Sequence, residues 1–151
     1  MEEIDLCWRI KNLGYKIMYA HKSVVYHVGG GTLNKSNPRK TFLNFRNNRF
    51  MLRKNLSSKE LNTIYFSRNF LDRLAAFVAY IKGNKEEAKA ILNAIKEYKN
   101  EIATYDQKRL ANENFIQTNK ISTINKVGIY PKSILYEYFV KNNKIFGKLK
   151  F

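Results

Sequence analysis

Three carboxylates, Glu2, Glu3 and Asp5, stand at the start of the chain, inside the first turn of a helix expected over residues 2–13. Crowded carboxylates can act as a general base, because a neighbouring negative charge raises a carboxyl pKa toward neutrality. The same acids also suit a helix N-terminus, and Asp5 can pair with Arg9 at i, i+4. His27 ends an expected strand just before Gly29, Gly30, Gly31 and Thr32. There it can serve as a metal or phosphate contact, or as a hydrogen-bonded structural residue. The glycine run allows a backbone to approach a ligand closely, but matches neither the dinucleotide fingerprint nor the Walker pattern.

A third group is basic. Residues 35–54, KSNPRKTFLNFRNNRFMLRK, hold seven cationic side chains and no acid. Arg39, Lys40, Arg46, Arg49 and Arg53 are interleaved with Phe42, Phe45 and Phe50. Such a run fits phosphate binding with base stacking, a helix lying on anionic lipid, or a core-facing helix with a solvated basic side. The stretch KNNKIFGKLK at 141–150 adds four lysines.

These groups sit in a chain of 151 residues with 28 Lys plus Arg, 12 Asp plus Glu and a formal charge of +16. The excess attracts polyanions without choosing among them. An apolar content of 44 % supports a packed core rather than disorder. The single cysteine, Cys7, excludes an intramolecular disulfide and a multi-thiolate zinc site, and fits a reducing, cytoplasmic setting. The apolar run LAAFVAYI is far shorter than the ~20 residues that span a bilayer.

The elements that would position these residues follow from periodicity. Residues 2–13 read as a helix stopped by Gly14, and Tyr15–Tyr19 and Ser23–Val28 as two short strands joined around His21 and Lys22. Helices are expected over 39–54, over 58–81 and over 85–103. The second would bury Leu61, Ile64, Tyr65, Leu71, Leu74, Ala75 and Val78; the third Ala88, Ile91, Leu92, Ile95 and Tyr98. Residues 106–128 read as a loop or frayed helix, and Pro131 opens a last amphipathic helix. Two strands alone make no stable sheet, so partners are expected elsewhere.

In order, EEIDLCWRIKNLGYKIMY, SVVYHVGGGTL and NPRKTFLNFRNNRFMLRKNL resemble the C-terminal half of family 2 glycosyltransferases, most closely rhamnosyltransferase-like members that build bacterial surface polysaccharides. NFLDRLAAFVAYIKGN and IYPKSILYEYFVKNNKIF resemble the tail of that family. The resemblance implies an α/β fragment: residues 1–37 as the end of a GT-A catalytic domain, with one helix and two strands, and 38–151 as a helical extension. It implies inverting transfer of a sugar from a nucleotide-sugar donor to a saccharide or lipid-linked acceptor. The divalent cation, Mg2+ or Mn2+, would be held mostly by a missing N-terminal half. By the same likeness Glu3, flanked by Glu2 and Asp5, is the catalytic base, Arg9 orients the acidic motif and His27 approaches the metal. Gly29, Gly30, Gly31 and Thr32 lie beside the diphosphate, with cations from Arg39, Lys40 and Arg46.

The chain is then expected to be a truncated product, inactive alone, located in the cytoplasm and at the inner face of the plasma membrane. Arg39–Lys54 and Lys141–Lys150 are the expected docking stretches, with no nucleic acid as partner. The rival reading is a non-enzymatic, basic helical module that binds anionic lipid or RNA.

Overall fold

The computed structural model describes residues 2–26 and 37–149. Five α-helices occur among them: α1 (Glu2–Asn12), α2 (Pro38–Asn55), α3 (Ser58–Ile81), α4 (Lys85–Asn100) and α5 (Ile102–Asn119). A π-helical turn at Tyr136–Val140 and a 3-10 turn at Phe146–Lys148 follow.

No strand occurs among the described residues, which corrects the α/β expectation and with it the reading of the chain as the end of a GT-A domain. Residues 15–26 run without a ladder partner, and Met18, Tyr19, Val25 and Tyr26 are exposed. β-Branched and aromatic residues favour a strand only where a neighbouring strand takes up the backbone groups. Here the start of the segment is tied to the chain after α5. The Ile121 N–H donates to the Leu13 carbonyl at 3.0 Å, and the Asn125 amide to the Tyr15 carbonyl at 3.1 Å.

The helices begin and end where local chemistry directs. Asn37 caps α2 by accepting the Arg39 N–H at 2.9 Å, and Pro38 occupies the first turn, where its missing N–H costs nothing. Ser57 and Glu60 form a reciprocal capping box at the start of α3. Gly83, at φ +82°, takes the left-handed conformation that turns the chain into α4.

α4 packs against both α2 and α3, while α2 also carries α1 and α5. Ala88, Ala90 and Ala94 are buried on α4, and such small side chains let neighbouring helices approach closely. Ala76, Ile91 and Ile95 form the apolar centre, with Phe45 and Ala75 packed against it. Beside them Phe50 stacks on Tyr105 with ring centroids 3.7 Å apart, and Tyr98 lies 5.5 Å from Phe50 and 5.8 Å from Tyr65.

Of the two alternatives for residues 106–128, loop or frayed helix, the first part is helical, as α5. Its inward contacts are few and specific: the Tyr105 ring, the Asp106 carboxylate and Arg109, whose guanidinium reaches Ser58 Oγ at 3.0 Å. A helix held by isolated contacts has no apolar stripe to announce it. The helix expected from Pro131 is shortened to the π-helical turn, which has no substantial packing on α1–α5.

Candidate functional site

The acidic residues at the start of α1 divide. Glu2 and Glu3 are exposed, whereas Asp5 turns toward the C-terminal end of α2. Asp5 binds Lys54, accepts from the Asn55 amide at 2.7 Å and pairs with Arg9 at 3.3 Å. Burial pushes the Asp5 carboxyl up, but the hydrogen bonds and charges of Lys54, Asn55 and Arg9 outweigh it and hold it below its ordinary range. A general base needs the opposite shift. Asp5 fastens α1 to α2.

Arg39 and Lys40 stand in the first turn of α2, roughly 22 Å from Lys54 at a rise of 1.5 Å per residue. Arg39 shares a surface groove with Phe42, Glu86, Lys89 and Lys96. Arg46 turns inward, pairing with Glu97 at 2.6 Å and lying over Phe42. The acids of the expected site therefore lie at the opposite end of α2 from Arg39 and Lys40, with Arg46 midway along the helix. His27, Gly29, Gly30, Gly31 and Thr32 lie outside the described residues. Among the described residues, no three His, Cys, Asp or Glu side chains are grouped to hold a metal ion.

What the fold does assemble is an inward seam of arginines on α2. Arg46, Arg49 and Arg53 recur at i, i+3 and i+7 and so share a face. Arg49 meets Asp72 of α3 at 2.7 Å, with both side chains only 2 % exposed, and donates to the Asn69 carbonyl oxygen of the side chain at 3.0 Å. Arg68 holds the other Asp72 oxygen at 2.8 Å. Burial weakens the hold of Arg68 on its proton; Asp72 offsets part of this, and the charge of Arg49 adds to it. Arg53 clasps Asp106 of α5 through two nitrogens, at 2.7 and 2.6 Å, and donates to Tyr98 Oη at 3.2 Å. Burial raises the pKa of the Tyr98 phenol against the pull of Arg53, so the phenol stays protonated at neutral pH. The basic run is thus a structural clamp that joins four helices.

This seam turns α3 partly away from the expected face: Leu61 is buried and Ile64, Tyr65, Leu71 and Ala75 are half-buried as expected, but the C-terminal part of the face is displaced. The sequence pattern placed Leu74 and Val78 inside, yet both are exposed, while Asp72 and Ala76 are buried. The Arg49 guanidinium needs a buried carboxylate, and Asp72 supplies it only if α3 rotates its charged side inward. Phe66, Phe70, Phe77 and Ile81 then point outward, Phe66 with 82 % of its surface exposed. At 3.6 residues per turn these four fall within about 60° of one another, opposite Arg68 and Asp72. Arg73 stands in the same stripe and donates to its own helix at the Asn69 carbonyl, 2.9 Å away. The expected inward face left Phe66, Phe70 and Phe77 outside it, and all three are exposed; what the pattern did not give is that Leu74 and Val78 join them at the surface.

A second outward surface follows Pro131. Ile134, Leu135, Phe139, Val140, Ile145 and Phe146 are exposed there, among Lys132, Lys141, Lys144 and Lys148. No helix of the described residues is long and apolar enough to cross a membrane. Set against models of protein families, curated proteins and solved structures, the chain matches none.

Proposed function

We propose that this chain is a non-enzymatic, peripheral membrane module whose α3 lies on an anionic lipid surface. The observation that carries the reading is the outward stripe of Phe66, Phe70, Phe77 and Ile81, on the side of α3 opposite the buried Asp72. The stripe runs about 22 Å along the helix, and contiguous exposed apolar surface of that kind marks an interaction site. Fully burying one phenylalanine is worth about 1.5–3 kcal/mol, so three entering the headgroup boundary give useful affinity.

Charge selects the occupant. A formal charge of +16 draws the chain to anionic lipid, such as that of a cytoplasmic leaflet, and sets two copies of the chain against each other. Lys59 and Arg73 share the helical face of the phenylalanines, which suits them to headgroup phosphates. RNA is disfavoured, because Arg46, Arg49 and Arg53 are engaged by carboxylates inside the fold.

The test is co-sedimentation with vesicles of phosphatidylglycerol and phosphatidylcholine. The protein is expected to pellet with the anionic vesicles, and the triple variant Phe66→Ser, Phe70→Ser, Phe77→Ser to bind at least tenfold more weakly. Protein that stays in the supernatant, or that sediments as a dimer closed by these phenylalanines, overturns the reading.

A further inference from the structure

Residues 130–149, YPKSILYEYFVKNNKIFGKL, hold four lysines and one acid, Glu137. The segment folds that acid inward. Glu137 is 7 % exposed and takes the Lys141 ammonium at 2.9 Å; the charge and hydrogen bond of Lys141 hold its carboxyl below the ordinary range. Asn143 donates its backbone N–H to the Glu137 carbonyl at 2.8 Å. Asn142, at φ +52°, makes the turn that allows this, in a conformation asparagine tolerates better than most residues. Beyond the turn Lys144 lies over the Tyr138 ring, 5.9 Å from its centroid.

Neutralising the one acid leaves a surface of a single sign. Lys132, Lys144 and Lys148 are exposed, and beside them Phe139 and Phe146 are each 74 % exposed. The turns at Tyr136–Val140 and Phe146–Lys148 have no substantial packing on α1–α5. Apolar side chains ringed by lysines match the interface of an anionic bilayer, where the rings enter the headgroup region and the ammonium groups meet phosphate.

We propose that residues 130–149 form a second, electrostatically driven foot on the same anionic bilayer that receives α3. This inference rests on the membrane reading of α3 and adds a division of labour. α3 supplies the salt-resistant attachment; Lys132, Lys144 and Lys148 supply the part that depends on lipid charge and ionic strength.

The experiment measures vesicle binding of the full chain at low and high salt, with phosphatidylglycerol vesicles and with pure phosphatidylcholine vesicles. The variants are Lys132→Gln/Lys144→Gln/Lys148→Gln, Phe139→Ser/Phe146→Ser and the α3 triple serine variant. Circular dichroism confirms that each keeps its helices. The lysine variant is expected to bind anionic vesicles about tenfold more weakly at low salt and to lose most of its salt dependence. The Phe139/Phe146 variant should weaken binding at both salt concentrations. The α3 variant should keep a residual, salt-sensitive attachment. A lysine variant that binds like the unaltered chain at low salt, with the α3 variant impaired, overturns the second foot and leaves the α3 reading standing. An unaltered chain that binds no vesicle overturns both.

Discussion

α2 and α3 are neighbours in sequence and opposites in construction. The strongly basic α2 turns Arg46, Arg49 and Arg53 into the protein; the more apolar α3 turns Phe66, Phe70 and Phe77 out of it. Composition would assign the two surfaces the other way round. The difference follows from pairing. A buried guanidinium is tolerated only when a carboxylate and further acceptors surround it, and Asp72, Glu97 and Asp106 occupy three different helices around α2. Once those acids face α2, the other sides of their helices face outward. For α3 that side carries the phenylalanines. Charged residues thus set the orientation of this bundle, and an outward apolar surface is the consequence.

The sharpest way to break the comparison is Asp72→Ala, which leaves Arg49 and Arg68 facing each other without a counter-charge. A loss of about 3–5 kcal/mol is expected in urea unfolding. Phe70→Ser, on the other side of the same helix, should change stability by less than about 0.5 kcal/mol while weakening vesicle binding. Equal losses from the two variants would refute the outward orientation of the phenylalanine side of α3. The joint change Arg49→Met/Asp72→Leu sharpens the point, since replacing both partners should recover most of the loss caused by Asp72→Ala.

Smaller effects probe the ends of the seam. Arg53→Lys removes the two-pronged grip on Asp106 and the contact with Tyr98, and should cost about 1–2 kcal/mol in the same assay. Ser57→Ala removes one half of the capping box that starts α3 and should cost about 1 kcal/mol. Asp5 gives a pH signature. Its folded-state pKa is lowered, so its stabilising contribution is present above the unfolded value of about 4 and is lost as pH falls through the lower folded value. The stability gap between the unaltered chain and Asp5→Asn should therefore be constant near neutrality and close below about pH 4. A gap that persists unchanged at pH 2 would show that Asp5 does not hold α1 through its charge.

Much of the helical outline was legible without any structure. Pro38 in the first turn of α2 is a local signal, since it acts through backbone groups within a few residues; the caps at Asn37 and Ser57 are equally local, and emerged only with the structure. α1 to α4 lie close to where periodicity placed them. The α3 face was misread for a physical reason. Leu74 and Val78 look like part of a core stripe until the partners of Arg49 and Arg68 are known, and those pairings cross between α2 and α3 or depend on the way α3 turns. α5 was legible only as a loop or frayed helix, because a ring stack, a bidentate ion pair and polar contacts from Arg109 and Asn112 hold it in place of an apolar stripe. The expected strands failed because strand pattern is a statement about half of a pair, and among the described residues no second half lies against residues 15–26.

The expected catalytic constellation shows the same division. The acids at 2–5 and the cations at 39–46 are near one another in the sequence, and their types suggested one site. Only the tertiary structure decided that α1 rests on the far end of α2, where Asp5 serves Lys54 and Asn55. By itself the sequence determined the net charge, the approximate limits of α1 to α4 and the supply of phenylalanines and arginines, because those depend on composition and on neighbours along the chain. The tertiary structure decided which of them face water, because a buried charge must find its counter-charge before apolar surface can be hidden.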